Sequence, residues 1–278
     1  MNKLPIEKRV AVISALVEGC SIRSTVRMTG VAKNTIVKLL AEVGQACSEY
    51  QDKVMRNLTC RALQIDEIWC YCYAKAKNVP VEKQGVFGIG DVWTFVAIDA
   101  DTKLIPHWLH GNRTACDATS FVESVASRLA NRVQITTDGH RMYLEAMEAG
   151  FGGAVDFAQL IKHYANLGDQ KSPETRYSPG ECCGTTKNVI SGDPATSEIS
   201  TSYIERQNLT MRMSMRRFTR LTNGFSKKLE NLCHAASLHF MYYNFVRRHQ
   251  TLRMPPALKA HVTDHVWSLE EIVRLTEN

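Results

Sequence analysis

Strand-like and helix-like segments alternate from Leu63 to Ile161, and that alternation restricts this chain to a mixed α/β sheet. Leu63-Gln64-Ile65-Asp66-Glu67-Ile68-Trp69-Cys70-Tyr71 is rich in β-branched and aromatic residues, and so is Trp93-Thr94-Phe95-Val96-Ala97-Ile98-Asp99. Both read as strands. Ala100-Asp101-Thr102-Lys103 is turn chemistry, and Leu104 to His110 reads as a third strand closing a hairpin. Asp117 to Leu129 is a helix with an acidic start. Arg132 to Gly139 is a fourth strand ending at Asp-Gly, Met142 to Ala149 a short helix, and Val155 to Ile161 a fifth strand. Gly168 to Ser200 is rich in Gly, Pro, Ser and Thr. It reads as a long irregular loop of the kind compact domains keep for function. Two further helices are expected, from Ser202, a possible cap, to Arg220, and from about Phe225 to Val246. The expected fold class is α/β, with a five-stranded mixed sheet flanked by helices.

Ahead of Ala62 the periodicity is helical. Glu7 to Glu18 carries Val10, Val12, Ile13, Leu16 and Val17 and stops at Gly19. Ser21 can cap a short helix from Ile22 to Met28. After the turn Thr29-Gly30-Val31 a third helix runs from Lys33 to Glu49, with Ile36, Leu39, Leu40 and Val43 inward. A short helix, a Gly-containing turn and a longer helix form the helix-turn-helix pattern. In that motif the first residues of the second helix reach base edges, which makes Lys33, Asn34, Thr35 and Lys38 candidates for DNA contact. The expected division is residues 1–55 as a helix-turn-helix domain, 56–260 as the sheet domain with an irregular insert at about 165–200, and 261–278 as a helical tail.

The net charge of +6 is modest, but its distribution is not: every charged residue from Arg206 to Lys259 is basic except Glu230. Arg206, Arg212, Arg216, Arg217, Arg247 and Arg248 lie in that span, which suits a polyanion; a solvated basic face is the plainer alternative. No apolar run is long enough to span a membrane, and the N-terminus lacks the apolar segment of a signal peptide, so a cytosolic protein is expected. The nine cysteines then stand as free thiols. Cys70-x-Cys72 and Cys182-Cys183 lack the usual zinc spacing, so no zinc is expected.

Three carboxylates occupy telling places. Asp66 lies within the first strand, Asp138 at the end of the fourth, and Glu205 in the first turn of a late helix. If the first and fourth strands are neighbours, their ends meet and the helix can bring Glu205 to the same point. Oxygen ligands of this kind suit Mg²⁺ or Mn²⁺, and two such ions about 3.5–4 Å apart promote phosphoryl transfer. Glu67 adjoins Asp66, but strand alternation sends it to the opposite face, favouring a structural role. Asp99 and Asp101 fit hairpin turn positions. His140 follows Asp138 and suits either contact with DNA or a place on the polar surface. His249 suits a phosphate contact better than a general base.

The motifs Gln64-Ile65-Asp66-Glu67-Ile68-Trp69, Gly90-Asp91-Val92-Trp93-Thr94, Thr136-Thr137-Asp138-Gly139-His140, Tyr203-Ile204-Glu205-Arg206-Gln207-Asn208 and Tyr243-Asn244-Phe245-Val246-Arg247 carry a resemblance. The chain resembles the DDE transposases of the retroviral-integrase superfamily, which have an RNase H-like fold. More narrowly it looks like the insertion sequence one family, over roughly Leu63 to Leu275. The resemblance implies that Asp66, Asp138 and Glu205 are catalytic residues holding two Mg²⁺ or Mn²⁺ ions. It also implies that Arg212 holds DNA phosphate. The partners implied are double-stranded DNA, as element ends and target, and further copies of the chain in a homodimer or larger assembly. The implied setting is the bacterial cytoplasm, at the nucleoid. Many relatives place a zinc-binding cysteine cluster before the helix-turn-helix; here the first cysteines are the isolated Cys20 and Cys47. The alternatives to a transposase are a catalytically silent DNA-binding regulator and an RNase H-like nuclease that cuts without joining.

Overall fold

The computed structural model describes residues 4–164, 180, 182–219 and 222–277. Three helices come first: α1 (Ile6–Val17), α2 (Ile22–Thr29) and α3 (Lys33–Val54). Ser21 caps α2 by accepting from the Ser24 N–H at 3.1 Å. Gly30 ends it at φ 67°, a left-handed conformation glycine adopts without a Cβ clash. α3 passes its expected end at Glu49 because its inner face keeps finding partners. Cys47 is buried, and Gln51 donates its side-chain amide to the Ser237 carbonyl at 3.1 Å.

The strands β1 (Ala62–Cys72), β2 (Gly90–Asp99), β3 (Trp108–Gly111), β4 (Val133–Thr137), β5 (Val155–Tyr164) and β6 (Cys182–Ser191) form one six-stranded sheet in the order β3-β2-β1-β4-β5-β6. β1 is antiparallel to β2 and parallel to β4, β4 is parallel to β5, and β5 is antiparallel to β6. Helices α4 (Ala115–Ala126) and α5 (Met142–Phe151) pack together and bury Phe121, Val122, Val125, Tyr143, Ala146 and Met147. The late helices are α6 (Ser202–Ser214), α7 (Leu229–Met241), α8 (Pro256–Lys259) and α9 (Leu269–Arg274).

Four expectations are corrected. The sheet has six strands rather than five. β6 lies within the stretch read as irregular, and its side chains are mostly exposed on both faces, so no in-out alternation marks it. The rest of that stretch falls partly on residues 165–179 and 181, outside the described residues. The third strand starts at Trp108, not Leu104, because the backbone N–H and C=O of Ile105 both bond to the Asn244 side chain, each at 3.0 Å. α6 stops at Ser214, six residues short of Arg220, as the α1–α2 turn abuts it: a Cβ on Gly19 would lie 2.9 Å from the Ser214 carbonyl oxygen. α7 begins at Leu229 rather than Phe225, since Ser226 pairs in extended form with the end of β1, accepting from the Tyr73 N–H at 2.9 Å.

One continuous apolar core includes Ile13 and Ile36 of the N-terminal helices, Leu63, Ile135 and Phe157 of the sheet, Phe240 of α7 and Ile272 of α9. The boundary expected near residue 55 falls just past α3, and packing runs across it. The tail closes back on the start of the chain: α9 packs on α1, and Arg9 pairs with Glu277. No described helix is long and apolar enough to cross a membrane.

Candidate active site

The parallel pairing of β1 with β4 runs Ala62 to Gln134, Leu63 to Ile135 and Gln64 to Thr136. Asp66 and Asp138 each stand two residues beyond the last of these pairs, so their carboxylates emerge at one level on neighbouring chains. Asp138 is one residue past β4, in the turn to α5, where it accepts from the His140 N–H at 3.0 Å. One carboxylate oxygen from each of Asp66, Glu67 and Asp138 lies within 4.8 Å of the others.

Glu67 departs from the expected geometry. Alternation along β1 separates it from Asp66, yet its carboxylate joins the cluster, where Asp138 stands one residue past the end of β4. Glu67 also has strong local partners. It accepts from the Tyr143 hydroxyl of α5 and is paired with Arg113 at 3.2 Å. Arg113 in turn covers the Trp93 ring, 4.3 Å from its centroid.

α6 reaches the site through β1 itself. The residue before the helix is Thr201, not the expected cap Ser202; the Thr201 side chain makes no capping bond, and locally only the Ser202 N–H is met, by the Ser200 hydroxyl at 3.2 Å. Instead the Gln64 side-chain oxygen accepts from the N–H groups of Tyr203 and Ile204, at 2.8 and 3.1 Å. These are donors that a helix leaves unpaired in its first turn. One turn further on, the Asn208 amide donates to Asp66 at 2.9 Å. Together these three bonds fix the face that carries Glu205 beside Asp66. Glu205 accepts from the Thr201 hydroxyl at 2.6 Å and is paired with Lys162 of β5.

The charges explain the titration behaviour. Burial raises the Asp66 pKa to about 7, aided by the negative charges of Glu67, Asp138 and Glu205 and opposed by the Glu67 N–H bond. Burial also raises Glu67, although Tyr143 and Arg113 oppose the shift. Among the described residues, Lys162 and Arg113 meet this crowd of carboxylates at Glu205 and Glu67, and no cation pairs with Asp66 or Asp138. The donors are all oxygen, with no imidazole or thiolate, which fits a hard divalent cation such as Mg²⁺ or Mn²⁺.

The structure thus brings Asp66 and Asp138 together, sets Glu205 beside them and adds Glu67. The other candidate residues lie apart. Lys33, Asn34, Thr35 and Lys38 are exposed at the start of α3, with Lys38 3.7 Å from Glu42. His140 adjoins the acidic cluster, its Nδ1 accepting from the Met142 N–H at 3.3 Å. Arg206 is exposed on α6, and Arg212 lies in its last turn. Arg216 does not share the Glu205 face as a continuous helix would require, because Met215 turns extended at φ −128° and ψ 108°. Arg217 points inward and donates to the Ser226 hydroxyl at 2.7 Å. Arg247 and Arg248 are exposed just after α7 and the π-turn Tyr242–Val246 that extends it. Sequence reasoning passed over Gln64, Asn208, Lys162, Arg113 and Tyr143. Gln64 and Asn208 lay inside two of the quoted motifs, which was a usable signal; the other three have none that local pattern reveals.

No family model and no curated protein matches the chain. Among solved structures it is similar to a chain of the simian T-cell lymphotropic virus intasome in complex with PP2A regulatory subunit B56 gamma, at 12% identity and TM-score 0.40, covering 91% of this chain and 74% of that one. It is also similar to a chain of the piggyBac transposase synaptic complex with hairpin DNA, at 11% identity and TM-score 0.40, covering 99% and 71%. The Mos1 strand transfer complex matches at 14% identity and TM-score 0.22, over 53% of this chain and 57% of that one.

Proposed function

We propose that this chain is a DNA transposase of the DDE type, with an RNase H-like catalytic unit and an N-terminal helix-turn-helix, related to the insertion sequence one family. It binds the terminal repeats of its element, hydrolyses a phosphodiester to free a 3′-hydroxyl, and joins that hydroxyl to target DNA. The observation that supports this most is the level placement of Asp66 and Asp138 on parallel neighbours, with Glu205 brought alongside on a helix anchored to the same strand.

In this reading Asp66, Asp138 and Glu205 hold divalent ions, Mg²⁺ or Mn²⁺. When bound, these supply charge neutralisation at the reacting phosphate and favour ionised oxygen nucleophiles. The protein supplies position. Asn208 fixes the Asp66 carboxylate, and Gln64 fixes the first turn of α6 and so the reach of Glu205. Lys162 holds Glu205 by charge and is free to meet a phosphate oxygen once Glu205 turns to a cation. The basic groups Arg206, Arg212, Arg247 and Arg248, with His140, take backbone phosphates, and Lys33, Asn34, Thr35 and Lys38 read bases. Because two element ends must be joined together, a homodimer or larger assembly forms on DNA.

A strand-transfer assay tests this, using a pre-cleaved element end, a supercoiled target and Mg²⁺ or Mn²⁺, with Glu205→Gln in parallel. Joined product that disappears in the variant is the expected result. Nicking without joining would mean a nuclease, and end binding with neither activity a silent regulator.

A further inference from the structure

The acidic cluster offers two glutamates for one place beside Asp66 and Asp138. Among the described residues, the carboxylate oxygens within 4.8 Å of one another belong to Asp66, Glu67 and Asp138, so distance alone favours Glu67 over Glu205. What separates the two glutamates is the cation each one holds. Glu205 is kept loosely. Lys162 and the Thr201 hydroxyl both bond its Oε1, and among the described residues nothing bonds its Oε2. Its side chain is 44% exposed, and an ion pair open to water holds its partners weakly.

Glu67 is held at both oxygens. The Tyr143 hydroxyl bonds Oε1, while Nε and Nη2 of Arg113 meet Oε2 at 3.3 and 3.2 Å. The Glu67 side chain is 1% exposed, so parting the pair would strand a buried charge. Arg113 is itself pinned. Its guanidinium covers the Trp93 ring, 4.3 Å from the centroid, a stack that suits a planar cation. Its backbone sits at φ 62°, a strained conformation for a residue with a Cβ, of the kind that gathers at functional sites.

We propose that Arg113 is a positioning residue that decides the ligand set: by holding Glu67 it leaves the third place beside Asp66 and Asp138 to Glu205. This deepens the metal-dependent reading given above and rests on it. The carboxylate that is easier to release turns to the cation, and Lys162 yields Glu205 before Arg113 yields Glu67. Without Arg113, Glu67 becomes a buried carboxylate with no counter-charge, already within reach of Asp66 and Asp138. It then has the most to gain from a divalent ion. The Arg113 pair serves the site by withholding a ligand.

The test measures Mn²⁺ binding to the full chain without DNA, through the loss of the free-ion electron paramagnetic resonance signal. Asp138→Asn identifies the site. Glu205→Gln and Glu67→Gln are made singly in the unaltered chain and again together with Arg113→Gly. Glycine adopts φ 62° freely, so this substitution removes the guanidinium while relieving the backbone. Arg113→Gln removes the charge with a smaller change of shape and replaces Arg113→Gly should that variant fail to fold. With Arg113 present, Glu205→Gln should weaken binding at least ~10-fold and Glu67→Gln less than ~3-fold. With Arg113→Gly the order should reverse, whereas a merely structural Arg113 would weaken binding without exchanging the two glutamates. An unchanged order, or dependence on Glu67 already in the unaltered chain, overturns the inference and leaves a metal site standing. Mn²⁺ binding that Asp138→Asn does not alter overturns the metal reading itself, and the Arg113 assignment with it.

Discussion

The two ends of α6 gather opposite charges. At its first turn Glu205 stands beside Asp66, Glu67 and Asp138; past its last turn Arg216 and Arg217 join Arg23, Lys33 and Lys227 around a cleft. The helix has 13 residues, so the two settings are separated by roughly 20 Å at about 1.5 Å per residue. They differ in how they are held. The acidic end is fixed by bonds between elements, from Gln64 and Asn208, and carries Lys162 and Arg113 at its edges. The basic end is assembled largely from turns and chain segments between helices. A rigid site with crowded carboxylates suits a small ion and demanding chemistry. A looser cationic one suits a larger, variable anion.

The largest effect should come from breaking the acidic end. Asp138→Asn is expected to lower strand transfer by about 10³-fold or more, equivalent to about 4 kcal/mol, with end binding retained. A gel-shift beside the joining assay reads both. Joining that survives would remove Asp138 from the site.

Stability against pH sharpens the same contrast. The folded pKa of Asp66, about 7, lies above its ordinary 3.8, so between those values the folded chain holds a proton that the unfolded chain has released. Metal-free stability should therefore fall as pH rises from about 4 to about 7 and level off above, by of order 4 kcal/mol. Excess Mg²⁺ should flatten the fall, since it favours the charged form, and Asp66→Asn should remove most of it. Thermal melts at a series of pH values would show this. A flat metal-free profile would mean that Asp66 is neither desolvated nor crowded by charge as the geometry requires.

How much of each end could be read from the residues differs for physical reasons. The strands that carry Asp66 and lead to Asp138 were legible in local pattern because buried strands show it in composition, but their neighbouring stood only as a condition, which the parallel pairing of β1 with β4 meets. The start of the helix carrying Glu205 was legible, but its cap was not: Gln64 lies far away in sequence, and only the fold brings it to Tyr203 and Ile204. The end of that helix was misjudged because Gly19, also distant, blocks Ser214. A helix running to Arg220 would carry Arg216 on the Glu205 face, whereas the break at Met215 turns it toward the basic cleft. β6 escaped notice because exposure on both faces erases the alternation by which strands are recognised.

Glu67 separates a supporting role from a ligand role at the acidic end. Glu67→Ala removes the partner of the Tyr143 hydroxyl and of Arg113 and should destabilise the fold by about 2 kcal/mol. Glu67→Gln keeps an acceptor for Tyr143. It should cost about 1 kcal/mol or less and reduce joining by less than ~10-fold. A loss in Glu67→Gln as large as that in Asp138→Asn would instead make Glu67 a ligand. Denaturant midpoints and the joining assay on the two variants give the comparison.

The smallest expected effect lies at the basic end, and it tests whether α3 reads sequence or merely attracts phosphate. Lys33, Asn34 and Thr35 are exposed in the first turn of α3, and among the described residues no side-chain hydrogen bond or ion pair involves them. Replacing all three by Ala should therefore leave the melting temperature nearly unchanged. Base contacts add to affinity only on the correct sequence, whereas phosphate contacts add on any duplex. If the three side chains face bases, the variant should lose about 10-fold on element-end DNA, close to 1.4 kcal/mol, and much less on unrelated duplex. If they face only phosphates, the two losses will be equal and the slope of affinity against salt will become shallower for both. Lys33 also lines the cleft, so Lys33→Ala alone, compared with Asn34→Ala and Thr35→Ala, separates the two roles. A loss confined to Lys33→Ala and equal on both duplexes would assign that residue to the cleft rim and leave base reading to other groups.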